Sequence, residues 1–349
     1  MSWIGWQVGM SGAPIAAAKK ILKAKFSYAK ALDDTPDFTP ALKDVLVQYQ
    51  TRKGGLRTDG VLDYATQKAL GMLAPPPAPP PVATLFTVNG TGVPDPFGPG
   101  FPADLGRLLS STAPNLYYWQ PIGYQAAVYP MRPSVEAGAE ELITQIDRHP
   151  GRIVLCGYSQ GALVTNRVWR DEILAEGGRL HHRKDEVIAI ITYGDPQRCP
   201  GLARGNTYAR LPVPKKLNGF TTGGIAGPDC LTAEQTPEFF LSFANNGDLY
   251  ASSPVGDSPW SSQTTVGHDQ TLVYEAVMEF DGKDFLGLVS ALTSVASTPA
   301  VNLLPLVQAV WNGLTFFGQG TRAPHWTYSI APAAQYLLDV GKKIQSSQI

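Results

Sequence analysis

Cysteine is almost missing from this chain: three residues in 349, Cys156, Cys199 and Cys230. So few, at those spacings, build neither a disulfide framework nor a zinc site. Cys156 lies in an apolar, strand-like run and reads as a small buried hydrophobe. Cys199 and Cys230 fall in Gly/Pro-rich loop sequence, which leaves a bridge between them open. Charge is scarce too, at 16% of residues, and the net charge is −1. A near-neutral chain lacks the electrostatic footprint of a nucleic-acid binder. With 44% hydrophobic residues it can bury enough surface to offset ordering entropy, which excludes wholesale disorder. No uninterrupted apolar run reaches the ~18 residues of a membrane span. A secretory leader pattern is also lacking, because Lys19 and Lys20 follow the first apolar stretch rather than precede it. The expectation is synthesis in a cytoplasm, without export through a leader.

Glycine and proline are plentiful, 35 and 30 residues, and six of the prolines fall in the tract Ala74-Pro75-Pro76-Pro77-Ala78-Pro79-Pro80-Pro81. Such a tract has few backbone donors and favours an extended polyproline II spacer. It predicts a small module at 1–73, a linker at 74–82 and a large module at 83–349. Charge divides along the same line. The small module has ten Lys/Arg against six Asp, the remainder 18 Lys/Arg against 23 Asp/Glu. A basic module tethered to an acidic one suggests an anchor and an effector.

In the small module, Leu42, Val45, Leu46 and Tyr49 recur at helical spacing, Gly54-Gly55 ends that helix, and Thr66–Met72 supplies a second one. Residues 1–17 give no clear pattern. The stretch from Phe38 to Leu73, with Gln50, Asp59, Gly60, Thr66, Ala69 and Leu70 at their spacings, resembles the helical peptidoglycan-binding domain. That resemblance implies a small all-α domain with peptidoglycan as partner. A plain helical docking module is the other reading.

The large module alternates strand-like and helix-like segments. Ala83–Val88, Asn115–Trp119, Arg152–Cys156, Val187–Thr192 and Phe239–Ala244 read as strands, and Ser134–His149 and Gln160–Glu172 as helices. Near-continuous β-branched runs such as Val187–Thr192 suit strands buried on both faces of a parallel sheet. The expected class is α/β with right-handed crossovers.

Within that frame, Gly157-Tyr158-Ser159-Gln160-Gly161 matches G-x-S-x-G. The pentapeptide alone is a weak signal. Its setting, after the strand R-I-V-L-C and before a helix opening on small residues, is that of a nucleophile elbow. A serine hydroxyl needs a base to take its proton and a carboxylate to orient that base. His181 and His182 precede the next strand and face the wrong end of the sheet. His325, in A-P-H-W-T-Y before the last helix, is the stronger base candidate, and His268, in G-H-D-Q-T-L, the weaker. For the acid, Asp248 in N-N-G-D-L-Y stands ahead of Asp195 in I-T-Y-G-D-P, because the usual acid follows the later strand. An oxyanion needs preorganised N–H donors. The Gln160 amide and one from Asn89-Gly90-Thr91-Gly92, at Thr91 or its neighbour Gly90, are the candidates.

These residues make the large module similar to the cutinase-like branch of serine α/β-hydrolases. The chain as a whole resembles the lysin B family of mycobacteriophage mycolylarabinogalactan esterases. The resemblance rests on G-Y-S-Q-G, N-G-T-G-V-P-D-P-F-G-P-G-F, G-D-L-Y and P-H-W-T-Y, and spans about residues 83–345. It implies a central parallel sheet with a helical insertion at about 270–320, and cleavage of the ester between mycolic acids and arabinogalactan in the host envelope. Action after membrane permeabilisation, no metal or organic cofactor, and a monomer complete the expectation. The family's long gap between acid and histidine matches the 77 positions from Asp248 to His325. The cysteine pair that brackets the acid in secreted cutinases is missing. The apolar stretch Phe285–Phe317, broken by Pro299 and Pro305, suggests helices that contact a long acyl chain or simply pack. A generic lipase or cutinase, and a non-catalytic wall-binding protein on a hydrolase fold, are the rival readings.

Overall fold

The computed structural model describes residues 5–73, 82–217, 219–256, 258–260, 274–276, 278–280, 283 and 323–347. The proline tract, His268 and the Phe285–Phe317 stretch therefore lie outside the described residues, save Val82 at the linker's end. The chain divides into two compact units, Trp3–Ala78 and Pro79–Ile349.

The small unit holds helices α1 (Ala13–Lys25), α2 (Pro40–Lys53) and α3 (Tyr64–Leu70). Each of the last two starts on a capping side chain: Thr39 accepts from the Leu42 N–H and Asp63 from the Thr66 N–H. Gly54 and Gly71 end them with positive φ. Ile15, Leu22, Leu42, Leu46, Leu62 and Leu70 form the core between the three helices. Residues 1–17, silent as sequence, supply the start of α1, whose Pro14 sits in its first turn.

In the large unit, β1 (Ala83–Val88), β2 (Tyr117–Ile122), β3 (Ile153–Tyr158), β4 (Val187–Tyr193) and, later, β7 (Phe240–Phe243) form a five-stranded sheet. Every pairing is parallel, in the order β2-β1-β3-β4-β7. Short strands β5 (Lys216–Leu217), β6 (Phe220–Gly223) and β8 (Ser253–Pro254) make a separate antiparallel patch. Helices α4 (Phe101–Thr112), α5 (Met131–Arg148), α6 (Gln160–Arg167), α7 (Arg204–Tyr208) and α8 (Ala331–Ser346) belong to the same unit. Among the described residues no helix is long and apolar enough to cross a membrane.

Strand alternation sorts side chains to two cores. Phe86, Val88, Ile153 and Leu155 face one core with Leu142 and Ile146 of α5 and Val164 of α6. Leu85, Val154 and Cys156 face the other with Leu105 and Leu109 of α4 and Leu337 of α8. Cys156 is fully buried there, as its apolar run predicts, and all three cysteines are free thiols, so Cys199 and Cys230 are not bridged. Burying a Leu, Ile, Val or Phe side chain is worth about 1.5–3 kcal/mol, so these double-sided cores clamp the sheet.

The order has a functional consequence. After β1 the chain steps to one side for β2, then returns across β1 to lay down β3. At such a reversal the two connecting helices go to opposite faces, and a crevice opens at the carboxyl ends of β1 and β3.

Candidate active site

Ser159 stands at the carboxyl end of β3, where strand turns abruptly into α6. Its φ is 54° and ψ −120°, a strained conformation for a residue with a side chain. The strain persists because the neighbours hold the bend on both sides. The Ser159 N–H donates to the Tyr193 carbonyl on β4 at 3.0 Å, and its own carbonyl accepts the Ala162 N–H at 2.9 Å. Glycine at 161 is a steric requirement: a Cβ there would sit 2.2 Å from the Val88 carbonyl oxygen. Helix α6 thus starts almost in contact with the end of β1.

The hydroxyl meets an imidazole from far along the chain. His325 Nε2 lies 3.0 Å from Ser159 Oγ, and His325 Nδ1 lies 2.9 and 3.0 Å from the two carboxylate oxygens of Asp248. The first oxygen atom therefore touches a ring whose far side is held by an acid on the loop after β7. Asp248 is fully enclosed, Ser159 and His325 nearly so. Burial pushes the Asp248 carboxyl up. The His325 charge and hydrogen bonds from His325, Tyr328 and the Tyr250 N–H outweigh it, so the carboxyl stays below its ordinary value. It is ionised at neutral pH.

The acid alternative, Asp195, is placed differently. Its Oδ1 accepts from Asn166 Nδ2 at 2.9 Å and the Gln197 N–H at 2.8 Å. Burial, only partly offset by these bonds, raises its carboxyl above the usual range. His181 and His182 open the short helical turn before β4, at its amino end.

The oxyanion candidates flank the bend. Gln160 is the first residue of α6, so its N–H has no acceptor within the helix. Its side chain is occupied elsewhere, donating to the Ala127 carbonyl at 2.7 Å and accepting from Ser134. In the turn after β1, the Gly92 N–H binds the Ala126 carbonyl at 2.7 Å and the Val93 N–H binds the Gly90 carbonyl at 3.3 Å. Thr91, buried between them, contributes its N–H to no backbone hydrogen bond among the described residues. Gly90 lies against Tyr158: a Cβ there would be 2.8 Å from the Tyr158 ring.

Four further residues complete the site without having been among the sequence candidates. Tyr328 donates its hydroxyl to Asp248 Oδ2 and accepts the Asn245 N–H at 3.2 Å. Burial and the Asp248 charge hold its hydroxyl far above the ordinary phenol range, so it remains a donor. Asn245 Nδ2 donates to the Pro324 carbonyl at 2.8 Å, and Tyr158 OH to the His325 carbonyl at 2.9 Å. These bonds tie the acid loop, the histidine loop and the elbow into one piece. Gly194, at φ 53°, leaves room for the imidazole: a Cβ there would lie 2.7 Å from His325 Cε1. Tyr158, Gly194, Asn245 and Tyr328 lie inside the quoted motifs G-Y-S-Q-G, I-T-Y-G-D-P, N-N-G-D-L-Y and P-H-W-T-Y, and that position was the one available signal. Among the described residues no group of three or more His, Cys, Asp or Glu could hold a metal ion.

Comparison with known proteins adds an independent line. The chain is 35% identical over 261 residues to Endolysin B of Mycobacterium phage L5, covering 72% of this chain and 97% of that protein. It is 35% identical over 265 residues to Endolysin B of Mycobacterium phage D29, covering 73% and 98%. The chain belongs to the endolysin B family. The crystal structure of lysin B from mycobacteriophage D29 matches with a TM-score of 0.54 and 34% identity, over 73% of this chain and 99% of that one. Essentially a whole endolysin B is thus contained in this chain, with about a quarter of it left over. No protein-family model matches.

Proposed function

We propose that this chain is a serine carboxylic-ester hydrolase that cleaves the ester joining mycolic acids to arabinogalactan in the mycobacterial envelope during phage-induced host lysis. The observation that carries the chemistry is the hydrogen-bonded row Asp248–His325–Ser159 on a strained strand-to-helix bend. Membership of the endolysin B family supports the choice of substrate.

Each residue then has a role set by its geometry. Ser159 Oγ attacks the acyl carbonyl while His325 Nε2 takes its proton. Asp248 fixes the tautomer that leaves Nε2 free to accept, and its charge stabilises the imidazolium. The N–H groups of Gln160 and Thr91 hold the negative charge that develops on the carbonyl oxygen. His325 returns the proton to the departing sugar oxygen, leaving an acyl group on Ser159. Water, deprotonated by His325, attacks that acyl carbonyl. Mycolic acid leaves and the Ser159 hydroxyl is restored. Nucleophile, base and donors all come from the chain. The small unit serves as the anchor, holding the enzyme on peptidoglycan beneath its substrate.

The test is product analysis on isolated mycobacterial cell wall, run beside a triglyceride and short nitrophenyl esters. Release of free mycolic acids, absent with Ser159→Ala, is the expected result. Hydrolysis of the small esters without mycolate release would make the chain a general cutinase or lipase. Full activity in Ser159→Ala would end the serine mechanism.

A further inference from the structure

The residues that carry the small unit's resemblance are engaged in holding it together. Gln50 Nε2 donates to the Val61 carbonyl at 2.7 Å and to Thr66 Oγ1 at 2.9 Å, and its Oε1 accepts the Gly60 N–H at 2.9 Å. Gly60 packs so closely that a Cβ would lie 2.6 Å from Lys43 Cγ. Asp59 pairs with Arg57 and caps the Val61 N–H. These groups latch the turn between α2 and α3.

Beside that latch, and sharing Ala69 and Leu70 with the residues that carry the resemblance, the unit has a hollow built as a receptor. Where the carboxyl ends of α1 and α2 come together, a cavity of about 400 Å³ is lined by Lys25, Phe26, Tyr28, Tyr49, Arg52 and Lys53, among others. Its size falls in the range of small-ligand sites. The aromatic rings form a continuous wall, Phe26 lying 5.4 Å from Tyr28 and 5.5 Å from Tyr49, centroid to centroid. The Arg52 guanidinium sits 4.3 Å over the Tyr28 ring, so its donors are already oriented. Cations at helix carboxyl ends suit the helix dipoles, which accounts for their charge but not for the aromatic hollow between them.

The ionic partners point the same way. Lys19, Lys23 and Arg57 of this unit each hold an aspartate, Asp33, Asp34 and Asp59. Among the described residues, Lys25, Arg52 and Lys53 share with Lys20, Lys30, Lys43 and Lys68 the lack of a carboxylate within ion-pair distance, but of these seven only those three line the cavity, and no acidic side chain lines it. Three unneutralised cations around an aromatic floor complement a ligand with an apolar sugar face and at least one carboxylate. Peptidoglycan offers that combination: an N-acetylhexosamine ring carrying an acidic peptide.

We propose that this cavity is the peptidoglycan site of the small unit, with the aromatic wall taking a sugar face and Arg52, Lys53 and Lys25 taking the carboxylates of the attached peptide. The inference rests on reading the small unit as a peptidoglycan-binding module and names where and how it binds.

The experiment uses the full chain, titrated by calorimetry with a soluble N-acetylglucosaminyl-N-acetylmuramyl tripeptide bearing free carboxylates, and in parallel sedimented with purified sacculi. The substituted side chains are exposed, and circular dichroism checks that each variant is folded. Arg52→Ala should weaken binding of the muropeptide about tenfold. Arg52→Lys should restore only part of it, because the charge returns without the planar fork. Lys25→Glu with Lys53→Glu should abolish it, and amidating the muropeptide's carboxylates should weaken binding to the unaltered chain. Variants that bind as tightly as the unaltered chain would overturn this site while leaving the module reading intact. An unaltered chain that fails to sediment with sacculi would instead remove the module reading, and this proposal with it.

Discussion

Replacing Gly194 by alanine separates two costs that usually arrive together. The first is backbone strain, since φ is 53° at this position and a side chain there costs about 1–2 kcal/mol. At roughly 2–4 °C per kcal/mol for a unit of this size, the loss is a modest fall in Tm. The second is a collision. The new Cβ would lie 2.7 Å from His325 Cε1 and 2.9 Å from Nδ1, where ordinary contact begins at 3.4 Å. The ring must therefore retreat by about 0.7 Å, from 2.7 to 3.4 Å. The Ser159–His325 hydrogen bond is 3.0 Å and the Asp248–His325 bond 2.9 Å, so a shift of that size breaks one of them. Misplacement on this scale costs on the order of 10²-fold in rate. Gly151, with φ 95° and nothing within 4 Å of its Cβ position, supplies the control. Gly151→Ala should lose stability with kcat on a nitrophenyl ester unchanged, whereas Gly194→Ala should lose both. Gly194→Ala with kcat within twofold of the unaltered enzyme would refute the reasoning.

Three more outcomes are expected. Asp248→Asn keeps the shape of the acid but removes its charge and the tautomer control, and kcat should fall about 10³–10⁴-fold; a loss below tenfold contradicts the assigned role. Ser159→Gly relaxes the bend and should raise stability by about 1–2 kcal/mol in denaturant titrations while abolishing hydrolysis. The two buried acids should act oppositely with pH. Asp248 is depressed in the fold, so its stabilisation is present above the unfolded carboxyl value and disappears as pH falls through the folded one. Asp195 is raised, so it favours the fold below the unfolded value and loses that contribution as pH climbs through the folded one. Asp195→Asn should therefore raise Tm more at pH 8 than at pH 4, and equal gains at both would show that Asp195 is not raised.

How much of this is legible in the sequence depends on whether a feature is local. β1 is bounded in the sequence as in the fold, Ala83–Val88, because a fully buried strand reads as a short apolar and β-branched run closed by a turn, here Asn89-Gly90-Thr91-Gly92. β3 and the elbow are equally local. Helix α4 does carry a helical apolar period, Phe101, Leu105 and Leu109, which Gly106 and the proline-rich approach to it mask in the sequence and which packing against the sheet makes plain. Gly106 itself makes room for Trp119, whose Nε1 would be 2.3 Å from a Cβ. Helix α6 stops at Arg167 and passes into a wider π turn over Val168–Leu174, which no periodicity announces.

The site divides in the same way. Ser159 carries a pentapeptide signature, and His325 and Asp248 follow from chain order. Tyr328 and Gly194 do not, because their importance exists only once β4, β7 and the loop before α8 are side by side. A tyrosine 80 positions from the acid and a glycine whose missing side chain makes room for the base are three-dimensional facts.

The most direct test is to locate the covalent adduct. The intact chain treated with an alkyl fluorophosphonate should gain one phosphonyl mass, found by peptide mass spectrometry on Ser159, and His325→Ala should react at least 10²-fold more slowly. An adduct on another residue, or an undiminished rate without His325, would contradict the mechanism.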